Sequence, residues 1–130
     1  MIRISDKELE SVSSMGAFDR YRYFIKRIAD SSTLWVLKNK HGEYALSEVE
    51  NNVLLSVWSA KDYIQSCLKG VWENYIPTCL DIDEFNSMLI PFISEKGYLI
   101  DVFPVNNKAG FVVTLNEFVH DLNIELSNYG

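Results

Sequence analysis

The chain contains few of the residues that build metal sites and disulfide frameworks. Its 130 residues include two cysteines, Cys67 and Cys79, and two histidines, His41 and His120. Two cysteines are too few for a disulfide scaffold, and the four residues together lack the spacing of a zinc site. We therefore expect both thiols to be reduced and structural, with no bound metal.

Long apolar runs are also absent. The first fifteen residues carry charge throughout and lack the apolar stretch of a signal peptide, and no later segment approaches the length of a membrane span. There is no internal repeat and no Gly/Ser-rich linker. We expect a cytoplasmic protein without membrane contact, folded as a single domain over residues 1–130.

Basic residues are in the minority. Twelve Lys and Arg stand against eighteen Asp and Glu, a net charge of −6, which would repel a phosphate backbone and makes nucleic acid an unlikely partner. The distribution is uneven, with +3 (eight against five) in residues 1–40 and −9 (four against thirteen) in residues 41–130. A charged partner would therefore meet two different faces.

Recognisable catalytic motifs are missing as well, since the chain has no glycine-rich phosphate loop, nucleophile elbow or zincin helix. His120 lies off the apolar stripe of its predicted helix, which indicates a solvated position, and Cys67 lies on an apolar face, which indicates burial. Asp81, Asp83 and Glu84 fit the first turn of a helix better than a metal site. We expect no catalytic residue and no cofactor, which favours a binding protein over an enzyme.

Hydrophobic periodicity predicts helices and strands that do not alternate, which is typical of an α+β fold. We expect a mainly antiparallel sheet, built from a three-stranded meander and a separate hairpin, and packed with about four to five helices. The meander comprises residues 33–38, 43–48 and 53–58, and the hairpin residues 98–103 and 110–114. Helices are predicted at residues 6–15, 18–30, 60–69, 82–96 and 115–126.

Local signals support several of these boundaries. Ser5 with Glu8, and Thr114 with Glu117, have the spacing of a capping box, and Ser59 is suited to cap the third helix. Pro91 should kink or split the fourth helix because a proline lacks the backbone N–H that the helix ladder needs.

Several segments together resemble a bacterial family of small proteins catalogued as domain of unknown function 2750. They are YRYFIKRIADSSTLWVL at 21–37, the stretch at 42–46, VWSAKDYIQSCLKGVWENYIP at 57–77, the interrupted helix running into YLIDVFP, and VVTLNEFVHDL at 112–122. Ser56 is a departure, because such sequences often carry proline there. The resemblance implies a single domain and supplies no catalytic residues.

Two functions from different classes follow. The first is a protein-interaction module, a regulatory or immunity-type binder of a basic partner, which the acidic residues 41–130 would attract. The alternative is a small-ligand-binding protein or enzyme with a pocket near Trp58 and Ser59, where helix amides could meet an anion. Trp58, Ser59, Trp72 and Tyr75 are the candidate binding residues for either.

Two further surfaces are candidates for contacts. A basic face of the second helix, formed by Arg20, Arg22, Lys26 and Arg27, is a possible contact for an acidic protein or a phosphate. A homodimer formed through an open strand edge is compatible with either function.

Overall fold

The computed structural model describes residues 4–128, so the predicted domain of residues 1–130 extends past them at both ends. This part of the chain contains five α-helices and six strands in an α+β arrangement, which confirms the predicted fold class. The helices are α1 (Asp6–Ser13), α2 (Ala17–Ser31), α3 (Ile82–Glu84), α4 (Ile90–Lys96) and α5 (Leu115–Ser127). The strands are β1 (Thr33–Lys38), β2 (Leu46–Val49), β3 (Asn52–Val57), β4 (Ile76–Asp81), β5 (Leu99–Val102) and β6 (Phe111–Val113).

The larger sheet has four strands in the order β2-β3-β5-β6. The β2–β3 and β5–β6 pairs are antiparallel hairpins, as predicted, whereas β3 and β5 run parallel with Leu55 opposite Ile100. Parallel neighbours need a long crossover, and here residues 58–98 supply it. The sheet is therefore mixed.

The predicted three-stranded meander is wrong, because β1 pairs with β4 in a separate two-stranded antiparallel sheet. The other edge of β1 meets the end of β3, where Trp35 and Trp58 exchange backbone hydrogen bonds of 2.8 and 2.9 Å. Strand β4 was not predicted because its sequence, IPTCLD, contains a proline and does not alternate apolar with polar residues.

The outer edge of β4 offers few free donors. Trp35 directs its backbone N–H and C=O towards Trp58, so Cys79, which lies opposite Trp35, is not hydrogen-bonded to it and directs its own backbone groups away from β1. Backbone groups alternate along a strand, so Pro77 and Asp81 also direct theirs away from β1. Pro77 has no N–H, and the N–H of Asp81 donates to the Glu84 carboxylate at 3.1 Å. This edge is therefore poorly suited to pairing with another strand.

The helix predicted at residues 82–96 forms over that range, and a π-helical segment interrupts it before the proline. A π-helical segment, Phe85–Leu89, separates α3 from α4, and Pro91 lies in the first turn of α4, where its missing N–H costs little. Gly97 ends the helix in the left-handed conformation with φ of 69°. Helices α2 and α5 pack antiparallel on the core, with the Phe24 and Phe118 ring centroids 5.7 Å apart.

The helix predicted after Ser59 does not form. Three single 3₁₀ turns, Lys61–Tyr63, Gln65–Cys67 and Gly70–Trp72, replace it, and the Ser59 side chain caps none of them. Contacts with the loop after β5 explain the difference. Cys67 Sγ donates to the Pro104 carbonyl at 3.3 Å, and Ser66 Oγ accepts from the Asn106 N–H at 3.0 Å. These long-range bonds override local helix propensity. No amide row at a helix start is thus available to an anion beside Ser59.

Within residues 4–128, no helix has the length and apolar character needed to cross a membrane.

Candidate functional site

A cleft of about 630 Å³ opens beside Ser59. It lies between the end of α2, the first residues of β1, the exposed Cys79 of β4 and the segment that follows β3. The side chains that line it combine apolar groups with hydroxyls and a few charges: Ile4, Arg27, Ser31, Thr33, Trp35, Ser59, Ala60, Lys61, Asp62 and Cys79.

Local backbone geometry brings these residues together. Helix α2 ends because Ser32 takes the left-handed conformation, with φ of 59°, and its N–H bonds to the Ile28 carbonyl at 2.8 Å. The chain then turns directly into β1. The paired backbones of Trp35 and Trp58 hold β1 against the end of β3, so that Ser59 and the residues after it face the end of α2.

The polar groups of the cleft differ in whether they have hydrogen-bond partners. Ser31 Oγ and Thr33 Oγ1 are hydrogen-bonded to one another at 3.0 Å. The Ser59 hydroxyl is buried without a hydrogen-bond partner among the described residues. The guanidinium of Arg27 lies 5.9 Å from the centroid of the Tyr23 ring, a cation–π arrangement that orients it.

The thiol of Cys79 stands at the cleft wall. Burial is the main factor that raises its pKa, and the carboxylates of Glu84 and Asp81 add to that effect, while a hydrogen bond with Thr33 opposes it. A raised thiol pKa keeps Cys79 protonated near neutral pH, so the cleft holds no activated nucleophile at this position.

The four predicted binding residues have different environments. Trp58 is fully buried, with its indole N–H donating to the Pro104 carbonyl at 2.7 Å. Trp72 is half-buried and meets the Trp58 ring edge-on, with centroids 6.4 Å apart, and Tyr75 is half-buried too. Of the four, Ser59 lines the cleft.

Sequence reasoning missed the other walls of the cleft. Trp35 was interpreted only as part of a strand, and Arg27 only as part of a basic helix face. Asp62 and Lys61 belonged to a helix that does not form. The spacing of these residues carries no motif, so no signal in the sequence groups them.

Arg20 does not lie on a basic surface, which corrects that part of the predicted face. It is 1% exposed, and its guanidinium donates to the carbonyls of Ala109, at 2.7 Å, and Met15, at 3.3 Å. Burial lowers the pKa of Arg20, and nearby Asp101 opposes that effect. The pKa of Asp101 is raised by burial, against the opposing effects of the Gly110 N–H and Arg20. Both side chains belong to the interior rather than to the cleft.

The remaining candidates have structural surroundings. Asp81 caps α3 in a capping box with Glu84, as the cap interpretation predicted. His120 is exposed on α5. Cys67 is half-buried, and burial raises the pKa of its thiol. Among residues 4–128, no three side chains of His, Cys, Asp or Glu are grouped so that they could hold a metal ion.

Comparison with known proteins bears on the family but not on the chemistry. A family model described as "Protein of unknown function (DUF2750)" matches residues 21–122, which include most of α2, all six strands and the first half of α5. Helix α1 lies outside the matched region. A search of curated proteins found no match. Since the match spans well over half of the chain, the protein belongs to the DUF2750 family, whose function is unknown.

Proposed function

We propose that this protein is a cytoplasmic small-molecule-binding protein and that its ligand occupies the cleft beside Ser59. The observation that supports this is the cleft itself. Its volume of about 630 Å³ lies within the range of about 300–1,000 Å³ that is usual for small-molecule sites. Such sites combine apolar walls with a few polar groups, and this cleft has both.

The roles of the lining residues follow from their chemistry. The half-buried indole of Trp35 and the side chains of Ile4 and Ala60 provide apolar surface for the body of a ligand. The hydroxyls of Ser31 and Thr33 provide donors and acceptors at one edge. A predominantly apolar compound with one polar end fits this arrangement.

A fluorescent apolar probe tests the proposal. N-phenyl-1-naphthylamine emits strongly when it leaves water for an apolar site, so wild-type protein should give a saturable, single-site rise in emission. Ala60→Phe places a ring in the cleft and should weaken binding by at least about tenfold. Asn116→Phe, on the exposed side of α5, is the matched control and should bind the probe as wild type does. If the wild type shows no saturable binding, the proposal fails.

A protein-interaction role is supported by a different observation. Val71 is 89% exposed and Ile76 is 56% exposed, and they flank the half-buried Trp72 and Tyr75. Exposed apolar groups beside aromatic residues are typical of protein contact surfaces. The balance of −9 over residues 41–130 would favour a basic partner.

An exposed substitution tests this second function without disturbing the core. Val71→Asp should abolish recovery of a specific partner from host lysate, whereas Val49→Asp, at the 55% exposed Val49 of β2, should leave it intact. Because electrostatic steering weakens with ionic strength, recovery should also decline as salt is raised. Equal recovery by both variants would contradict a role for this surface.

A further inference from the structure

We propose that the ligand of the cleft carries an anionic group and that Arg27 binds it. This inference rests on the proposed small-molecule function and adds the chemical class of the ligand. Arg27 is half-buried in the cleft wall and is oriented by the ring of Tyr23. A guanidinium presents several N–H donors in a planar fork that matches the geometry of a carboxylate or a phosphate.

The other charged side chains that line the cleft do not cancel the charge of Arg27, and the carboxylates of Asp81 and Glu84, which act on Cys79, do not line it. Lys61 and Asp62 are adjacent, both are exposed, and they have opposite signs, so their fields largely offset one another and are screened by solvent. Arg27 is partly withdrawn from water, and a charge acts more strongly in such a setting because solvent screens it less. The cleft therefore has an excess of positive charge on its α2 wall.

The end of α2 opposes an anion only weakly. A helix C-terminus carries partial negative charge from carbonyls without partners. Here the Ser32 N–H bonds to the Ile28 carbonyl, which satisfies one of them, and Arg27 itself lies within the last five residues of the helix. The hydroxyls of Ser31 and Thr33, on the same wall, bond to one another, which leaves one O–H of the pair as a further donor for an anionic head group.

The class of ligand is thus an apolar or aromatic body with a single acidic group. Trp35, Ile4 and Ala60 would contact the body, and Arg27 the acidic group. A carboxylate and a phosphate share this chemistry, and competition experiments distinguish them.

Two probes that differ by one anionic group test the inference. 8-anilinonaphthalene-1-sulfonate has the same aromatic body as N-phenyl-1-naphthylamine and adds a sulfonate. Wild-type protein should bind the sulfonate at least about tenfold more tightly than the neutral probe. Arg27→Leu should remove this preference and leave the affinity for the neutral probe within about twofold of wild type.

Matched variants keep the test independent of folding. Arg22→Leu removes an exposed arginine of the same helix that does not line the cleft, and it should preserve the preference for the sulfonate. Arg27→Gln, which keeps a polar side chain, is the second variant if Arg27→Leu does not fold. Either Arg27 variant should lose the preference.

The outcomes separate the inference from the function on which it rests. If wild type binds both probes equally, or if an Arg27 variant lowers the affinity for both probes alike, the proposal of an anionic ligand is wrong. The proposal that the cleft binds a small molecule is then unaffected. If neither probe binds saturably, the small-molecule function fails as well. Displacement of the sulfonate by benzoate supports a carboxylate ligand, and displacement by phenyl phosphate supports a phosphorylated one. Failure of both to displace it would overturn the inference.

Discussion

Replacing Gly110 with alanine should destabilise the fold strongly. Gly110 is buried where the chain enters β6, close against β5. A Cβ atom built on it would lie nearer than 3.0 Å to both the Asp101 carboxylate oxygen Oδ1 and the backbone carbonyl oxygen of Val102. The carboxylate can rotate away, but the Val102 carbonyl belongs to a strand paired on both sides and cannot.

The cost follows from the additional carbon. Forcing such a carbon into a packed interior typically costs about 1–3 kcal/mol. We therefore expect a loss of about 1–3 kcal/mol in the free energy of unfolding, a large fraction of the usual total of about 5–15 kcal/mol.

Urea unfolding, followed by tryptophan fluorescence and by far-ultraviolet circular dichroism, measures this loss. Gly16→Ala is the matched control, since a Cβ on Gly16 would meet no heavy atom within 4 Å and its φ is −66°. That change should cost less than about 1 kcal/mol. A cost below about 1 kcal/mol for Gly110→Ala would refute the reasoning, because it would mean that β5 and β6 can separate without penalty.

Three other changes give measurable results. Burial raises the pKa of Asp101 above 3.8, so the folded state holds this proton more tightly than the unfolded state. Protonated Asp101 therefore stabilises the folded state fully below pH 3.8, and this stabilisation is lost as pH rises through the folded-state pKa. The stability of wild type relative to Asp101→Asn, from urea unfolding at a series of pH values, should fall across that window, and a difference that rises with pH would contradict it. Trp58→Phe removes the donor to the Pro104 carbonyl and should cost about 1–3 kcal/mol in thermal or urea unfolding, whereas an unchanged stability would show that this bond contributes nothing. Both thiols have a raised pKa, but Cys79 is exposed and Cys67 half-buried, so mass spectrometry after brief alkylation should find modification mainly at Cys79.

Much of the local structure was predictable because its signals lie within a few residues of each other. Thr114 and Glu117 form the expected capping box, Gly97 ends its helix, and Pro91 lies just after the π-helical segment that interrupts the same helix. At Ser5 only half of the box forms, because the Glu8 carboxylate accepts from the Tyr23 hydroxyl instead of from the cap.

The candidate site was predictable only in part. Ser59 does line the cleft, although the helix that singled it out is absent. Arg27 and Trp35 line the same cleft from α2 and β1. They are so far from Ser59 in sequence that no periodic pattern groups the three residues. Val71, which lies beside the predicted Trp72, likewise became a candidate only because the structure shows that its side chain is exposed.

The sequence by itself determined the composition class, the α+β character, the β2–β3 and β5–β6 hairpins and most helix boundaries, since these depend on turn chemistry, capping and local periodicity. The tertiary structure alone decided that β1 pairs with β4 and that Arg20 is buried. It also decided that the segment after Ser59 hydrogen-bonds to the loop at Pro104 instead of forming a helix. Each of these depends on which distant group offers a better partner. That competition is settled by hydrogen bonding and burial between residues far apart in the chain, which a local pattern does not encode.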